Sequence, residues 1–318
     1  MIDHKEVYKS QFEEWEGLPV FFKPWYLEAI CGENGWDVCI SKDKGGRIEG
    51  VMPYYKSKKY GIPHITMPLL APYLGPWLIY PLNTQKLVSK YSFEKKVISN
   101  LLSQLPDVSL IKMHFHPSIN NVLPSYWAGY ETHVRYTYIV NSKEEGDLWA
   151  ALDSKQRNII STAQNKFQIV MSEDIDQFYN LNCKSFTRNG GEVLYDRNYI
   201  VNIYNALKEN NAGKILFSKD ENDQTHAGIL LVKDYLSTYC LAIGNNPRHK
   251  NSGSLSHLMW HCVRTSLEET EYFNFEGSMI PNIEKFFRSF GGELTPYYRI
   301  QKTKNKFLKG VFAWTGKL

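Results

Sequence analysis

The sequence predicts an α/β protein, of the α+β kind with a mixed sheet and helices packed against it, and three observations carry that expectation. Along the second half the spacing of apolar residues switches from helical to alternating and back, in the order α-α-β-β-β-α-β-α-β. Polar breakers such as Asp220-Glu221-Asn222-Asp223 separate short β-rich runs, which marks an antiparallel meander. The first half echoes the pattern with two strands, a crossover helix and a strand, so each half joins a meander to a further strand through a helix.

Taken in order, a helix is expected near Trp25 to Cys31, then strands over WDVCIS and GRIEGVMPYYK, a proline-rich segment, a helix from Phe93 to Leu105 and a strand over SLIKMHFH, 109 to 116. In the second half Ile175, Phe178, Tyr179 and Phe186 recur at helical spacing, and Tyr199, Ile200, Ile203, Tyr204 and Leu207 repeat it. KILFS, THAGILLVK and YLSTYCLAIG read as the three meander strands. Leu255, Leu258, Met259, Cys262, Val263 and Leu267 mark an amphipathic helix, followed by the strand YFNFEGS, a helix from about Ile280 to Phe290 and the strand LTPYYRIQ. The two orders imply an internal duplication with a degraded first copy. Its boundary is expected in NSKEEGD, which gives domains 1–140 and 141–318.

A chain of 318 residues can bury a sizeable core, and that length favours two domains. The net charge of +4 arises from nearly balanced acids and bases and demands neither nucleic acid nor membrane. Five cysteines without a C-x-x-C pair suit a reducing compartment. The N-terminal MIDHKEVYKSQFEEWEG places acids where an export signal carries an apolar run, and residues 61 to 82 hold five prolines, too many for a spanning helix. The expectation is a soluble, cytoplasmic protein with no membrane span. Its oligomeric state is not legible.

Two loci invite chemistry. Arg248, His249 and Lys250 precede Asn251-Ser252-Gly253-Ser254, where a helix begins, and free N–H groups at a helix start favour an anion. The structural alternative is that Ser252 is an N-cap and Gly253 a turn residue. At the end of YFNFEGS, Gly277 lets backbone approach a ligand, Ser278 and Pro281 suit a helix start, and Glu276 is placed to accept a proton from an amine. A surface acid or a helix-start carboxylate is the plain alternative.

These residues carry a family resemblance. WAALDSKQRNIISTAQNKF (149 to 167), AGILLVKDYLSTYCLAIG (227 to 244), the NSGS helix start and FNFEGSMIPNIEKFFRSFGG (273 to 292) resemble, in order and spacing, the GNAT-type acyltransferases, specifically the FemAB-like branch with two such domains in tandem. The likeness covers about 140 to 302, with a weaker echo in GRIEGVMPYYK and GPWL. It implies two tandem GNAT-like domains, the first degenerate, and N-acyl transfer from acyl-CoA, or from aminoacyl-tRNA, to a small-molecule or peptide amine.

By that resemblance Arg248, Lys250 and the backbone of Asn251, Ser252, Gly253 and Ser254 hold the donor's pyrophosphate, and Glu276 sits near the acceptor amine. The sequence departs from the family's R/Q-x-x-G-x-G/A pattern, and Phe287 stands where many relatives carry the tyrosine that protonates the leaving thiolate. Tyr239, Tyr297, Tyr298 or water then supplies the proton, or the donor is not coenzyme A.

Lys155, Arg157, Asn158 and Lys166 form a basic helix at the start of the second domain, and YYKSKKYG and RIQKTKNKFLKG are basic and aromatic. They suit tRNA phosphates or an anionic cell-envelope precursor, though a solvated face is the commoner meaning. His257/His261 and His114/His116 have metal-compatible spacing without a third ligand, so no metal is expected. A GNAT-type binding module without catalysis is the remaining alternative.

Overall fold

In a computed structural model of the chain, the described residues are 3–304 except 60, 85, 142–144, 189, 190 and 278. Ser278, part of the expected boundary 141–147, Tyr60 of YYKSKKYG and the end of RIQKTKNKFLKG lie outside them. The chain divides into two compact units that interleave in sequence, one of residues 1–14, 31–135 and 296–318, the other of residues 15–30 and 136–295.

The elements run α1 (His4–Phe12), α2 (Pro24–Cys31), β1 (Trp36–Lys42), β2 (Ile48–Lys59), β3 (Ile62–Thr66), β4 (Trp77–Leu78), α3 (Leu87–Ser103), β5 (Leu110–His114), α4 (Leu123–Trp127) and β6 (Glu131–Asn141). They continue with α5 (Glu145–Ala151), α6 (Ser154–Ala163), β7 (Gln168–Ser172), α7 (Ile175–Arg188), α8 (Arg197–Glu209), β8 (Gly213–Lys219), β9 (Thr225–Lys233), β10 (Ser237–Asn245), α9 (Ser254–Ser266), β11 (Tyr272–Asn274), α10 (Pro281–Arg288) and β12 (Glu293–Thr303).

In the first unit β1, β2 and β3 form an antiparallel meander, and α3 carries the chain to β5, which pairs parallel with β3. The C-terminal part of β12 closes this sheet antiparallel on β5, with Arg299 opposite His114. In the second unit β7, β8, β9 and β10 form the meander, α9 is the crossover, and β11 pairs parallel with β10. Here the closing antiparallel strand is the end of β6, which lies upstream in the chain. Each unit thus runs meander, crossover helix, parallel strand and antiparallel closing strand, with three meander strands in the first and four in the second, and each closing strand is remote in sequence from the strand it pairs with.

The second unit is held by apolar side chains from strands and crossover, among them Ile229, Leu231, Met259, Val263, Phe273 and Phe287, all buried. β9 is buried over all but its first and last residues, as a central strand covered on both faces should be, which explains its near-continuous apolar run GILLV. α9 is amphipathic as the sequence predicts, with Leu258, Met259, Cys262 and Val263 on its buried side.

Two boundaries and three strands differ from expectation. β11 stops at Asn274, not after Ser278, because Glu276 and Gly277 both adopt positive φ, +61° and +67°, which a ladder cannot accommodate. α3 begins at Leu87, before the expected Phe93, because residues 87 to 92 lie on a largely exposed helical face and leave no apolar periodicity to read. β3, β6 and β7 were not expected at all: β7 has no fully buried residue, and the outer part of β6 is equally polar on both faces. All five cysteines are free.

Candidate functional site

β10 and β11 run side by side over Ser237↔Tyr272, Thr238↔Phe273 and Tyr239↔Asn274, and there β11 ends while β10 continues to Asn245 along β9. The edge of β10 beyond Tyr239 therefore has no strand partner on that side. Part of it is capped by α7: Asn182 Nδ2 donates to the Ile243 carbonyl at 2.8 Å, and Ser185 Oγ accepts the Asn245 N–H at 2.7 Å. Leu241 is the bulged residue between Cys240↔Leu231 and Ala242↔Leu230, unpaired in both registers. Its backbone is where an incoming carbonyl would find a polar partner.

On the β11 side the chain turns sharply at Asn274. The Asn274 Oδ1 accepts the Glu276 N–H at 2.8 Å and the Thr137 hydroxyl at 2.7 Å, and the Phe275 N–H reaches the Tyr138 carbonyl at 3.1 Å. Gly277 passes so close to β6 that a Cβ would sit 2.2 Å from the Tyr136 carbonyl oxygen, so no other residue fits without moving backbone. Glu276 holds a left-handed conformation uncommon for a side chain of its size, a strain that the surrounding hydrogen bonds impose.

The Glu276 Oε1 is sealed from solvent with no hydrogen-bond partner. Burial pushes the Glu276 carboxyl well above the usual carboxylate range. Its charge is felt by Cys240, whose thiol is driven up chiefly by burial, then by Cys262 and Glu276. A carboxyl so placed holds a proton more tightly than an exposed one and is a stronger base when ionised.

The turn after β10 is built by its own side chains. Asn246 caps a short 3₁₀ turn, Pro247–His249, and the Ser252 N–H donates to the His249 carbonyl at 3.0 Å. The Ser254 N–H is directed at Ser252 Oγ, 3.3 Å away. Gly253, at φ +82°, is the N-cap of α9 with no side-chain cap, and Ile159 and Ala163 of α6 lie 3.1 and 3.2 Å from where its Cβ would be. The first intrahelical bond is His257 N–H to the Gly253 carbonyl, so the Leu255 and Ser256 N–H groups have no partner within the helix.

Beneath the turn, Asp220 Oδ2 lies 2.9 Å from His226 Nε2, whose ring stacks on His249 at 3.9 Å; its Nδ1 is 3.5 Å from Ser252 Oγ. The His226 hydrogen bond, with backbone N–H groups, holds the Asp220 carboxyl below the usual range. Arg248 and Lys250 project from the turn, exposed.

The other expected residues lie elsewhere. Tyr239 is buried, its hydroxyl donating to Asp234 at 3.1 Å and its ring packed edge-on against Phe21 at 4.8 Å. Because Cys240 neighbours Glu276, Tyr239 on the alternate face of β10 points away from it. Tyr298 belongs to the other unit, where its carbonyl accepts the Phe115 N–H. Phe287 is buried against Phe275, ring centroids 5.2 Å apart. Lys155 and Asn158 stand on α6, and Arg157 turns back to the Ala150 carbonyl at 2.9 Å.

Among the described residues no group of three or more His, Cys, Asp or Glu side chains is placed to hold a metal, and no helix is long and apolar enough to cross a membrane. A cavity of about 470 Å³ opens at the other end of the same strands, between Gly213, Lys233, Thr238 and Glu269, and Glu276 does not line it. Sequence reasoning missed Asn274 and Thr137. An asparagine inside a run of β-formers was the available signal, since strands disfavour it unless its amide has work to do.

No family sequence model matches the chain, and no curated protein matches it in sequence. Solved structures do. FemX is similar to the chain with a TM-score of 0.66 at 12% identity, covering 98% of each. The chain has the FemX fold. Two further structures agree: L-PGS from Bacillus licheniformis, TM-score 0.57 at 11% identity, covering 99% of this chain and 97% of that one, and a protein of unknown function from Bacteroides thetaiotaomicron, TM-score 0.56 at 11% identity, covering 93% and 97%. This FemX-like fold agrees with the FemAB-like resemblance of the sequence.

Proposed function

We propose that the chain is an N-acyltransferase, moving an acyl or aminoacyl group from acyl-CoA or aminoacyl-tRNA to the amine of a small molecule or peptide. The observation that carries this is the parting of β10 and β11: an unpaired stretch of β10 at Leu241 on one side, the sealed, unpartnered Glu276 Oε1 on the other, and the α9 helix start at the end of β10. The FemX fold supports it.

In this reading the donor's phosphates lie at the N-terminus of α9, against the Leu255 and Ser256 N–H groups and the positive end of the helix, with Arg248 and Lys250 supplying charge. The Ser252 and Ser254 N–H groups already have partners, so they shape the turn rather than grip the ligand. The acyl carbonyl lies along β10, where the Leu241 backbone polarises it. The amine attacks that carbonyl, Glu276 takes the proton the nitrogen loses, the tetrahedral adduct collapses, and the bond to the donor's sulfur or oxygen breaks. Phe287 cannot protonate the leaving group, so water or the proton that Glu276 has taken from the amine does so, whether the leaving atom is a thioester sulfur or a tRNA ester oxygen.

The division into modules 1–140 and 141–318 and a cytoplasmic setting, which five free thiols favour, belong to the same proposal. Purified chain should bind acyl-CoA or aminoacyl-tRNA by calorimetry or filter binding, and Glu276→Gln should retain that binding while losing transfer. Binding of neither donor would sink the proposal. The buried packing of Phe287 favours a second reading, a binding module without chemistry; donor binding with no turnover in any amine screen, and none changed by Glu276→Gln, is its signature.

A further inference from the structure

The first unit holds a polar cluster that this reaction does not use. β5 and the end of β12 pair with Arg299 opposite His114 and Gln301 opposite Lys112. Opposed residues in an antiparallel pair share a face, so these four side chains lie together. The other face is apolar: Ile111, Met113, Phe115 and Ile300 are buried. Two members of the polar face are also withdrawn from water, Arg299 8% and Gln301 2% exposed, while Lys112 and His114 are half-buried. Tyr297 lies along the same face of β12 and joins Arg135 to the group, accepting from Arg135 Nε at 3.1 Å while its ring centroid is 6.0 Å from that of His114.

Two features set the cluster apart. Three of its atoms, Arg299 Nε, His114 Nε2 and Gln301 Oε1, are buried without a hydrogen-bond partner. Native structures leave few such atoms, and two of these three are potential donors. Secondly, the cationic groups face one another uncompensated. Among the described residues no carboxylate pairs with Lys112, Arg135 or Arg299, and Glu131 makes itself felt on His133 at the margin.

The mutual cost is visible. Burial, then the charges of Arg299 and Arg135, hold the Lys112 ammonium below its ordinary value, and burial with Arg135 does the same to Arg299. His114 is depressed to about 3, mainly by burial and then by Arg135, so it is neutral at physiological pH. Its Nδ1 lies 3.2 Å from the Pro72 carbonyl oxygen; when Nδ1 carries the proton, the unpartnered Nε2 is an acceptor.

We propose that Lys112, Arg135 and Arg299 form a binding site for a doubly charged oxyanion of the phosphate class, either free phosphate or the phosphate group of an ester. Three cations without a counter-charge match a group of about −1.5 to −2 charge better than a monocarboxylate, which would leave most of the repulsion in place. Two guanidinium forks offer planar pairs of N–H donors suited to phosphate oxygens, and Lys112 adds a point charge. The neutral His114 Nε2 can accept a hydrogen bond from the P–OH of a singly protonated phosphate. This inference does not rest on the transferase reading, since its residues all belong to the first unit.

The test uses the full chain at constant ionic strength, titrated separately by calorimetry with inorganic phosphate, glycerol 3-phosphate and acetate. One equivalent of phosphate or of the ester should bind at least tenfold more tightly than acetate; the tighter of the two identifies the natural source. Arg299→Met and, because Arg299 is buried and its loss can disturb folding, the half-buried Lys112→Met should each weaken that binding at least tenfold. Lys112→Met should also raise the melting temperature of the ligand-free protein, because it relieves repulsion, a change opposite in sign to that of a lost structural contact. Acetate binding as tightly as phosphate, phosphate binding unchanged in Lys112→Met, or a ligand-free Lys112→Met that melts lower than wild type would overturn the proposal.

Discussion

Glu276 donates its backbone N–H to the side-chain oxygen of Asn274, two residues earlier, at 2.8 Å. This bond turns the chain out of β11 into two successive left-handed residues and delivers the Glu276 carboxyl to the interior beside Cys240. Since Asn274 also accepts from Thr137 at 2.7 Å, one amide oxygen ties the turn to β6. Replacing it leaves two donors without a partner, at about 1–3 kcal/mol for each buried one. Asn274→Ala should lower the urea midpoint by an amount equivalent to about 2 kcal/mol or more. An unchanged midpoint would show that the bond does not hold the turn.

The buried carboxyl has a pH signature with a definite sign. In the folded chain the Glu276 value is raised well above that of the unfolded chain, so the folded state holds its proton more tightly. That contribution to stability is fully present below about pH 4.3, the unfolded value, and is lost as pH rises toward the folded value. Glu276→Gln lacks this equilibrium, so its melting temperature should gain on wild type progressively as pH rises above the unfolded value. If Glu276 is the base, the same variant should lose transfer by about 10²–10⁴-fold with donor binding intact.

Gly277 offers a steric test. At φ +67°, with the Tyr136 carbonyl oxygen 2.2 Å from the site of any Cβ, Gly277→Ala requires backbone displacement as well as strain. A loss of about 1–3 kcal/mol by denaturant unfolding is expected, with transfer impaired beyond what stability explains because Glu276 moves with its neighbour. Wild-type stability in Gly277→Ala would mean that β6 and this turn do not meet so closely.

Arg248 and Lys250 are exposed, so their loss should cost no stability. In the donor reading, Arg248→Ala with Lys250→Ala should weaken binding of a phosphorylated donor by about tenfold or more at low salt and by less as salt rises, because screening already suppresses exposed charges. Calorimetry at two ionic strengths checks both statements. Equal affinity in wild type and double variant would remove the turn from the donor site.

Where a long apolar run or a full helical stripe is buried, the sequence was enough. THAGILLVK reads as a buried strand because β9 is covered on both sides, and Leu258, Met259, Cys262 and Val263 read as a helix because α9 buries that stripe. The doubled order of meander, helix and strand follows from such one-dimensional periods, while the FemAB-like resemblance came from the motifs at 149–167, 227–244 and 273–292. What periodicity cannot carry is which strands meet when they are far apart in the chain. That β6 closes the second unit and β12 the first, that β11 ends at Asn274, and that Tyr239 turns to Asp234 and not to Glu276, are settled by pairing and packing across separations of 100 residues and more in the case of the closing strands. The same limit hid the cluster of Lys112, Arg135 and Arg299. Each is an ordinary surface cation in the sequence; the antiparallel register of β5 and β12 sets Lys112 and Arg299 on one face, and the hydrogen bond from Arg135 to Tyr297 brings in Arg135 from β6.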